Sequence, residues 1–297
     1  MNALKSLLLP MRVPFLLLTP ACIAVGIGTA YWQTHEIAGL QVLLVLLGGL
    51  ASHTCVNVLN EYFDFTSGLD ARTQRTPFSG GSGMLQTHPT MQKSTLYLAG
   101  AAFGVAAIIG LYFVWLRGWL LLPLGGLGLL LLVTYTIWLA HEPILCLIAP
   151  GLGFGVLMVM GTHFALTGAY SWIAFVASLV PTFLVSDLLL LNQFPDVDAD
   201  RSVGRRNFPI MIGRRSSAVL YGVLLLLAYA SVVAGVILNL LPWLSLLAMF
   251  TAVPAWKAYR GACQNADNIP ALIPSMGLNV VVNLAAPVFL AVGLFIA

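Results

Sequence analysis

The sequence predicts an all-α polytopic membrane protein, nine transmembrane helices in a bundle with two cap loops on the cytoplasmic side. Of the 297 residues, 60% are hydrophobic and only 8% are charged, and the mean hydropathy is +0.95. A soluble domain carries about a quarter of its residues charged to cover its surface. Lipid must therefore face most of this one. The apolar runs are continuous and do not alternate, which argues against strands. They recur at close to the roughly 20 residues that cross a hydrocarbon core of about 30 Å.

In chain order the spans are expected at about 14–32, 39–59, 94–115, 118–137, 143–165, 170–191, 216–238, 240–256 and 272–296. Pro20, Pro123, Pro150, Pro181 and Pro287 fall inside them, which transmembrane helices tolerate better than soluble ones. Residues 1–13 are short and weakly basic and run into the first span without a clear cleavage site, so no removed leader is expected.

Charge sets the orientation. With the N-terminus in the cytoplasm, Lys5, Arg12, Arg72, Arg75, Lys93, Arg201, Arg205, Arg206, Arg214, Arg215, Lys257 and Arg260 all fall inside. Arg117 alone falls outside, which accounts for all 13 basic residues. Short loops rich in Lys and Arg stay in the cytoplasm, so the expected protein sits in the cell (inner) membrane with its C-terminus external. All seven Trp (Trp32, Trp115, Trp119, Trp138, Trp172, Trp243, Trp256) fall at span ends, as an interfacial belt does. The net charge of +3 thus reports topology and contact with membrane lipids, not nucleic acid. The four cysteines are dispersed without metal-ligand spacing, and neither a disulfide nor zinc is expected.

The acidic residues gather in two places. After the second span the chain reads Asn57-Val-Leu-Asn60-Glu61-Tyr62-Phe63-Asp64, then Gly68-Leu-Asp70-Ala-Arg72. After the sixth it reads Asn192-Gln193-Phe194-Pro195-Asp196-Val-Asp198-Ala-Asp200-Arg201, then Gly204-Arg205-Arg206. Both contain Asn-x-x-x-Asp at the end of the second span of a four-span block. The chain therefore reads as one domain built by internal duplication, spans 1–4 and 5–8, with span 9 appended. Residues four apart share a helical face, so Asn60 and Asp64 project together, with Asn57 and His53 deeper. Asn192, Asp196 and Asp200 form a second column if Pro195 kinks the helix instead of ending it. Two facing carboxylate columns repel unless a divalent cation lies between them. Mg²⁺ prefers one or two carboxylates together with phosphate oxygens and water. Arg72, Arg75, Arg201, Arg205 and Arg206 flank the columns, and Ser79-Gly80-Gly81-Ser82-Gly83 has the composition of either a phosphate-binding backbone nest or a plain surface loop.

At these residues the chain resembles the UbiA superfamily of intramembrane prenyltransferases. The likeness begins at Arg12-Val-Pro14, runs through Asn60 to Asp70, Arg75-Thr-Pro77 to Gly83 and Gly151-Leu-Gly-Phe-Gly155, and ends at Asn192 to Arg206. The gap from Asp64 to Asp70 resembles the branch that prenylates dihydroxynaphthoate. Pro195 and the stretch His141-Glu142-Pro143 depart from that branch, which leaves another quinone precursor, a non-aromatic lipid acceptor or internal cyclisation open. The resemblance implies that Asp64, Asp70, Asp196 and Asp200 hold Mg²⁺ against a prenyl diphosphate, with Asn57, Asn60, Asn192, Arg75 and Arg206 binding substrate. It further implies that Arg72 or Arg201 offsets the charge of the leaving diphosphate, and that Tyr62, Phe63, Tyr135 or Phe194 faces the allylic cation.

Asp187, inside the sixth span, is a costly residue for a bilayer and is expected to orient or deprotonate the acceptor, with His53 the alternative base. His163 reads as structural, and Asn279 with Asn283 as an interhelical hydrogen-bonding pair. A secondary transporter also carries pseudo-repeats and membrane carboxylates. Here, however, the carboxylates cluster at the mouth and not at the midplane.

Overall fold

The computed structural model describes residues 8–297, so Lys5 and the start of the N-terminal stretch lie outside the described residues. Every regular element among the described residues is helical. In chain order, seven helices are long and apolar enough to cross a membrane: α1 (Val13–Thr34), α2 (Gly39–Thr66), α3 (Pro89–Arg117), α4 (Trp119–Ile137), α5 (Pro143–Thr167), α6 (Trp172–Asn192) and α7 (Phe208–Ile237). Next comes α8, residues 243–265, a 3₁₀ stretch Trp243–Thr251 that continues as α-helix Ala252–Asn265. The last, α9 (Ile269–Phe295), is again of spanning length.

Several expected boundaries move, the start of the seventh span from 216 to Phe208 among them, and two of the changes follow from features of the packing and the helix. The eighth span was expected to stop at residue 256, where the apolar run ends, yet the helix continues to Asn265. Its inner face is made of small residues: Ala255, Ala258 and Ala262 are buried, and a Cβ on Gly261 would meet Ser275 Oγ of α9 at 2.0 Å. Lys257 and Arg260 stay on its exposed face. The 3₁₀ part rises faster per residue than an α-helix, so the whole element extends roughly 40 Å. The second span likewise continues as helix to Thr66, carrying Asn60 and Asp64 beyond the expected end.

Small residues set the tightest approach, between α5 and α6. A Cβ on Gly151 would lie 2.2 Å from Thr182 O, and one on Gly155 would lie 1.9 Å from Thr182 Oγ1. Glycine four residues apart lets two backbones meet. The same stretch, Gly153–Leu157, widens into a π turn just after Pro150, where the proline has removed one helical donor. Helices α1, α6 and α9 form the buried centre. By contrast α3 and α4 present Ile108, Leu111, Trp115, Trp119 and Leu130 to the outside, as lipid-facing helices do.

Candidate active site

A cavity of about 800 Å³ opens between the helices. Its mouth is polar, lined by Arg12, Asn60, Asp64, Asp70, Asn192, Asp196, Asp200, Arg205 and Asn207. Its depth is apolar, lined by residues such as Val45, Ile109, Phe113, Leu122, Leu129, Phe154 and Leu188. Local sequence explains how the mouth is built. α2 runs straight through Asn60 and Asp64, so both project from one face. α6 ends at Asn192, and residues 193–196 form turns before a short helix, Val197–Ser202. Pro195 thus ends the helix, and a continuous column does not form. Turn hydrogen bonds from Asp196 N to Gln193 O (3.1 Å) and from Asp200 N to Asp196 O (2.8 Å) keep Asn192, Asp196 and Asp200 on the cavity all the same.

The two acidic segments meet through Arg205. Its guanidinium donates to Asp64, and to Asp200 Oδ1 at 3.3 Å. Asn207 donates from Nδ2 to Asp200 Oδ2 at 2.9 Å, while its Oδ1 caps α7 by accepting from Ile210 N. Gln86 Nε2 donates to Asp70 Oδ2 at 2.9 Å. Burial lowers the pKa of Arg205, but Asp64 and Asp200 more than offset this and hold the guanidinium charged. Burial pushes the Asp70 carboxyl up to about 6, with further push from Asp64 and Glu61. Burial and the charge of Asp200 push Asp196 up to about 7. Burial also raises Asp200, against the pull of Arg205 and Asn207.

The glycine loop serves the protein's own carboxylates first. Glu61 accepts from Ser82 N at 2.8 Å and from Ser82 Oγ at 2.5 Å. Gly81, at φ 65, sits so close to Asp70 that a Cβ would lie 2.8 Å from Oδ1. One donor of the expected nest is therefore already used, although Ser79, Gly80 and Gly81 do line the cavity.

Several expected site residues sit elsewhere. Arg72 is exposed and donates to Ser202 O and Oγ, both at 3.0 Å, fastening one cap loop to the other. Arg75 donates to Gln86 Oε1 at 3.1 Å, while Arg201 and Arg206 are exposed. None of these four lines the cavity; Arg12 and Arg205 do. Exposed loop charge costs nothing to hydrate, which is why the sequence alone does not tell a topological arginine from a buried one. Arg205 precedes Asn207-Phe-Pro209, an N-cap followed by proline in the first turn, and that helix start is the signal that turns it inward. Asn57 lines the wall and donates to Met11 O at 3.0 Å, and Thr136 donates to Asn60. Of the aromatic side chains expected at a cation, Tyr135 alone lines the cavity. Phe194 is buried in the core, and Tyr62 and Phe63 pair edge to face.

Asp187 is fully buried and does not line the cavity. Its Oδ1 accepts from Asn283 Nδ2 at 3.4 Å, and Asn283 in turn donates to Asn279 Oδ1 at 3.1 Å. Direct contact between Asp187 and an acceptor, as expected from its depth in α6, is blocked by α9. Asn283 reaches the wall in its place.

Among the described residues no three acidic, His or Cys side chains converge tightly enough to hold an ion by themselves. Mg²⁺ does not require that, since it is usually bound by one or two carboxylates plus a ligand's phosphates. Buried Asn192 Oδ1 and Asp196 Oδ1 have no partner among the described residues, and a hard cation satisfies such oxygens. The donor set fits.

Fold and site define a membrane-embedded helical bundle whose paired acidic segments guard an apolar cavity between the helices. The chain belongs to the UbiA prenyltransferase family, whose model matches residues 18–296; it is an integral membrane protein. A 1,4-dihydroxy-2-naphthoate octaprenyltransferase from Bacillus subtilis is 28% identical over 253 residues, 84% of this chain and 79% of that protein. A 2-carboxy-1,4-naphthoquinone phytyltransferase from Synechocystis is 23% identical over 251 residues, 82% of this chain and 78% of that protein. Among solved structures, the apo form of a UbiA homolog from Aeropyrum pernix superimposes with TM-score 0.73 at 18% identity, covering 96% of this chain and 98% of that one. A UbiA homolog from Archaeoglobus fulgidus bound to GPP and Mg²⁺ gives TM-score 0.67 at 13% identity, covering 96% and 99%.

Proposed function

We propose that this protein transfers a prenyl group from a prenyl diphosphate to an aromatic, naphthoate-type quinone precursor within the membrane, with Mg²⁺ as cofactor. The observation that carries the reading is the continuity of the acidic mouth with the apolar cavity of about 800 Å³. A charged diphosphate head and a long apolar tail need those two environments end to end. The names of the naphthoate and naphthoquinone prenyltransferases to which the chain is similar support the acceptor class.

Asp64, Asp70, Asp196 and Asp200, with Asn60 and Asn192, would hold the metal. When bound, it offsets charge on the departing diphosphate, a contribution of several kcal/mol in such reactions. Arg205 and Arg12 supply positive charge to the same oxygens from the cavity wall. Tyr135, which lines the cavity, would face the allylic carbon as it develops charge, and the apolar depth keeps water from that carbon. Asp187 acts at one remove, by fixing Asn283 in the wall.

The cap loops and N-terminus face the cytoplasm of the cell (inner) membrane, and the C-terminus lies outside. Cysteines placed at exposed Ser67 and Ser202 should resist impermeant labelling from outside intact cells; efficient labelling there overturns the orientation. The activity is tested by incubating solubilised protein with labelled prenyl diphosphates and a panel of aromatic acceptors, with and without Mg²⁺. A metal-dependent prenylated aromatic product is expected. Pyrophosphate release with no aromatic product would point to cyclisation or a non-aromatic acceptor, and no release at all would remove the reading.

A further inference from the structure

We propose that His53 is the proton acceptor for the ring hydroxyl of the acceptor, a role that rests on the aromatic prenyl transfer argued above. His53, Asn57, Asn60 and Asp64 recur at four, three and four residues, so they share one face of α2. All four line the cavity. At the helical rise of 1.5 Å per residue, His53 lies about 16 Å below Asp64 along the axis. That interval is the space for a diphosphate, the allylic carbon it leaves and one fused aromatic ring laid end to end. A ring whose carbon meets the allylic carbon therefore brings the hydroxyl on the neighbouring ring carbon, the one whose electrons reach the attacking carbon, toward the level of His53.

The imidazole is held for this task. Its Nδ1 is 2.8 Å from the hydroxyl of fully buried Thr19, and in the tautomer this role requires Nδ1–H donates to that hydroxyl and leaves Nε2 as the acceptor. Phe154 packs edge to face with the ring, 4.7 Å between centroids at 78°. Nε2 has no partner among the described residues and is not sealed by its neighbours. His163 provides the contrast. It makes the same bond from Nδ1 to a threonine, Thr29 at 3.0 Å, but its Nε2 is buried without a partner, and it does not line the cavity. One Thr–His pair is walled in, and the other opens on substrate space. The remaining titratable wall groups, Tyr135 and Cys146 among them, lie at the level of Asn60 and Gln193. Among the described residues that line the cavity, no other group at the depth of His53 takes a proton.

The step balances without another reactant. The ring O–H proton moves to Nε2 as electron density from the oxygen reaches the attacking carbon. The new C–C bond forms as the allylic C–O bond breaks, and diphosphate leaves with the electron pair. The ring carbon that attacked then loses its proton to diphosphate, or loses CO₂ if it bore a carboxylate, and Nε2 returns its proton to the ring oxygen.

The test uses full-length protein in detergent with 1,4-dihydroxy-2-naphthoate and its two mono-O-methyl ethers as probes. His53→Gln should leave thermal stabilisation by Mg²⁺ plus a non-hydrolysable geranyl diphosphate analogue unchanged while transfer falls about 100-fold. One ether should cost the wild type a similar factor, and the two losses should not multiply, because both remove the same proton transfer. Thr19→Val, which leaves the ring but frees it to rotate, should lower kcat more than it raises KM. Losses that multiply, or transfer that survives His53→Gln, overturn the role. If His53→Gln fails to fold, Thr19→Val with the ethers carries the same comparison. A wild type that binds the donor yet prenylates neither naphthoate nor any other aromatic acceptor removes the functional reading itself, and this role with it.

Discussion

Arg205 donates to Asp64 across the mouth of the cavity, joining the end of α2 to the loop that follows α6. With Asp200 on its other side, the guanidinium lies between the two acidic segments, which would otherwise face each other as bare negative charge. Both partners are largely enclosed, with side chains 17% and 14% exposed. This pair is therefore screened less than a surface ion pair.

Asp64→Asn and Asp196→Asn should each lower prenyl transfer by at least about 100-fold, as loss of a preorganised charge-stabilising group does. Their stabilities should differ. Asp64→Asn weakens a partner of enclosed Arg205 and should cost about 1–3 kcal/mol. Asp196 carries an unpartnered Oδ1 beside Asp200, so Asp196→Asn should hold or gain stability without ligands. Melting curves and product assays on the two variants check this, and equal stabilities would contradict the separation.

Arg205→Gln should destabilise the metal-free protein, because Asp64 and Asp200 then repel without an intervening cation. Mg²⁺ alone should raise its melting temperature by more than it raises that of the wild type. Transfer should also fall, since the replacement gives diphosphate no positive charge. A variant with an unchanged melting temperature and an unchanged response to Mg²⁺ would show that the guanidinium does not carry this load.

The mouth should also be sensitive to pH. Burial raises the carboxyls of Asp70 to about 6 and Asp196 to about 7 from 3.8. A raised carboxyl binds its proton more tightly folded than unfolded, so folding stability falls as pH climbs from about 4 through 7. Metal-free protein should melt several degrees lower at pH 8 than at pH 5.5. Mg²⁺ must displace those protons, so its affinity should rise across the same interval and level off above it. Isothermal titration in buffers of different ionisation enthalpy would count the protons released.

Asp187→Asn should reduce transfer less than His53→Gln does and leave Mg²⁺-dependent donor binding intact. Its carboxyl reaches the cavity only through Asn283, so its loss moves a wall residue and removes no reacting group. Thermal shift with the diphosphate analogue, run beside the transfer assay, separates the two effects. A fall in donor binding as large as that of Asp64→Asn would refute the division.

The sequence alone determined the class, because hydropathy over spans of fixed length leaves little choice of architecture in a bilayer. It also located the acidic segments, since residues spaced at helical periods must share a face whatever surrounds them: Asn60 with Asp64 needed no coordinates. Tertiary structure decided which arginine turns inward, because Arg205 and Arg206 are neighbours of equal charge and only the path into α7 sends one to Asp64 and the other to solvent. It decided that α8 runs on past its apolar stretch, where Ala255, Ala258, Ala262 and Gly261 meet α9. It also decided which of two buried candidates faces the cavity. Asp187 and His53 both read as polar residues inside a span, and only the packing of α9 closes the first off while the cavity opens on the second. Local periodicity fixes which side of its own helix a residue occupies. What that side meets depends on helices far away in the chain.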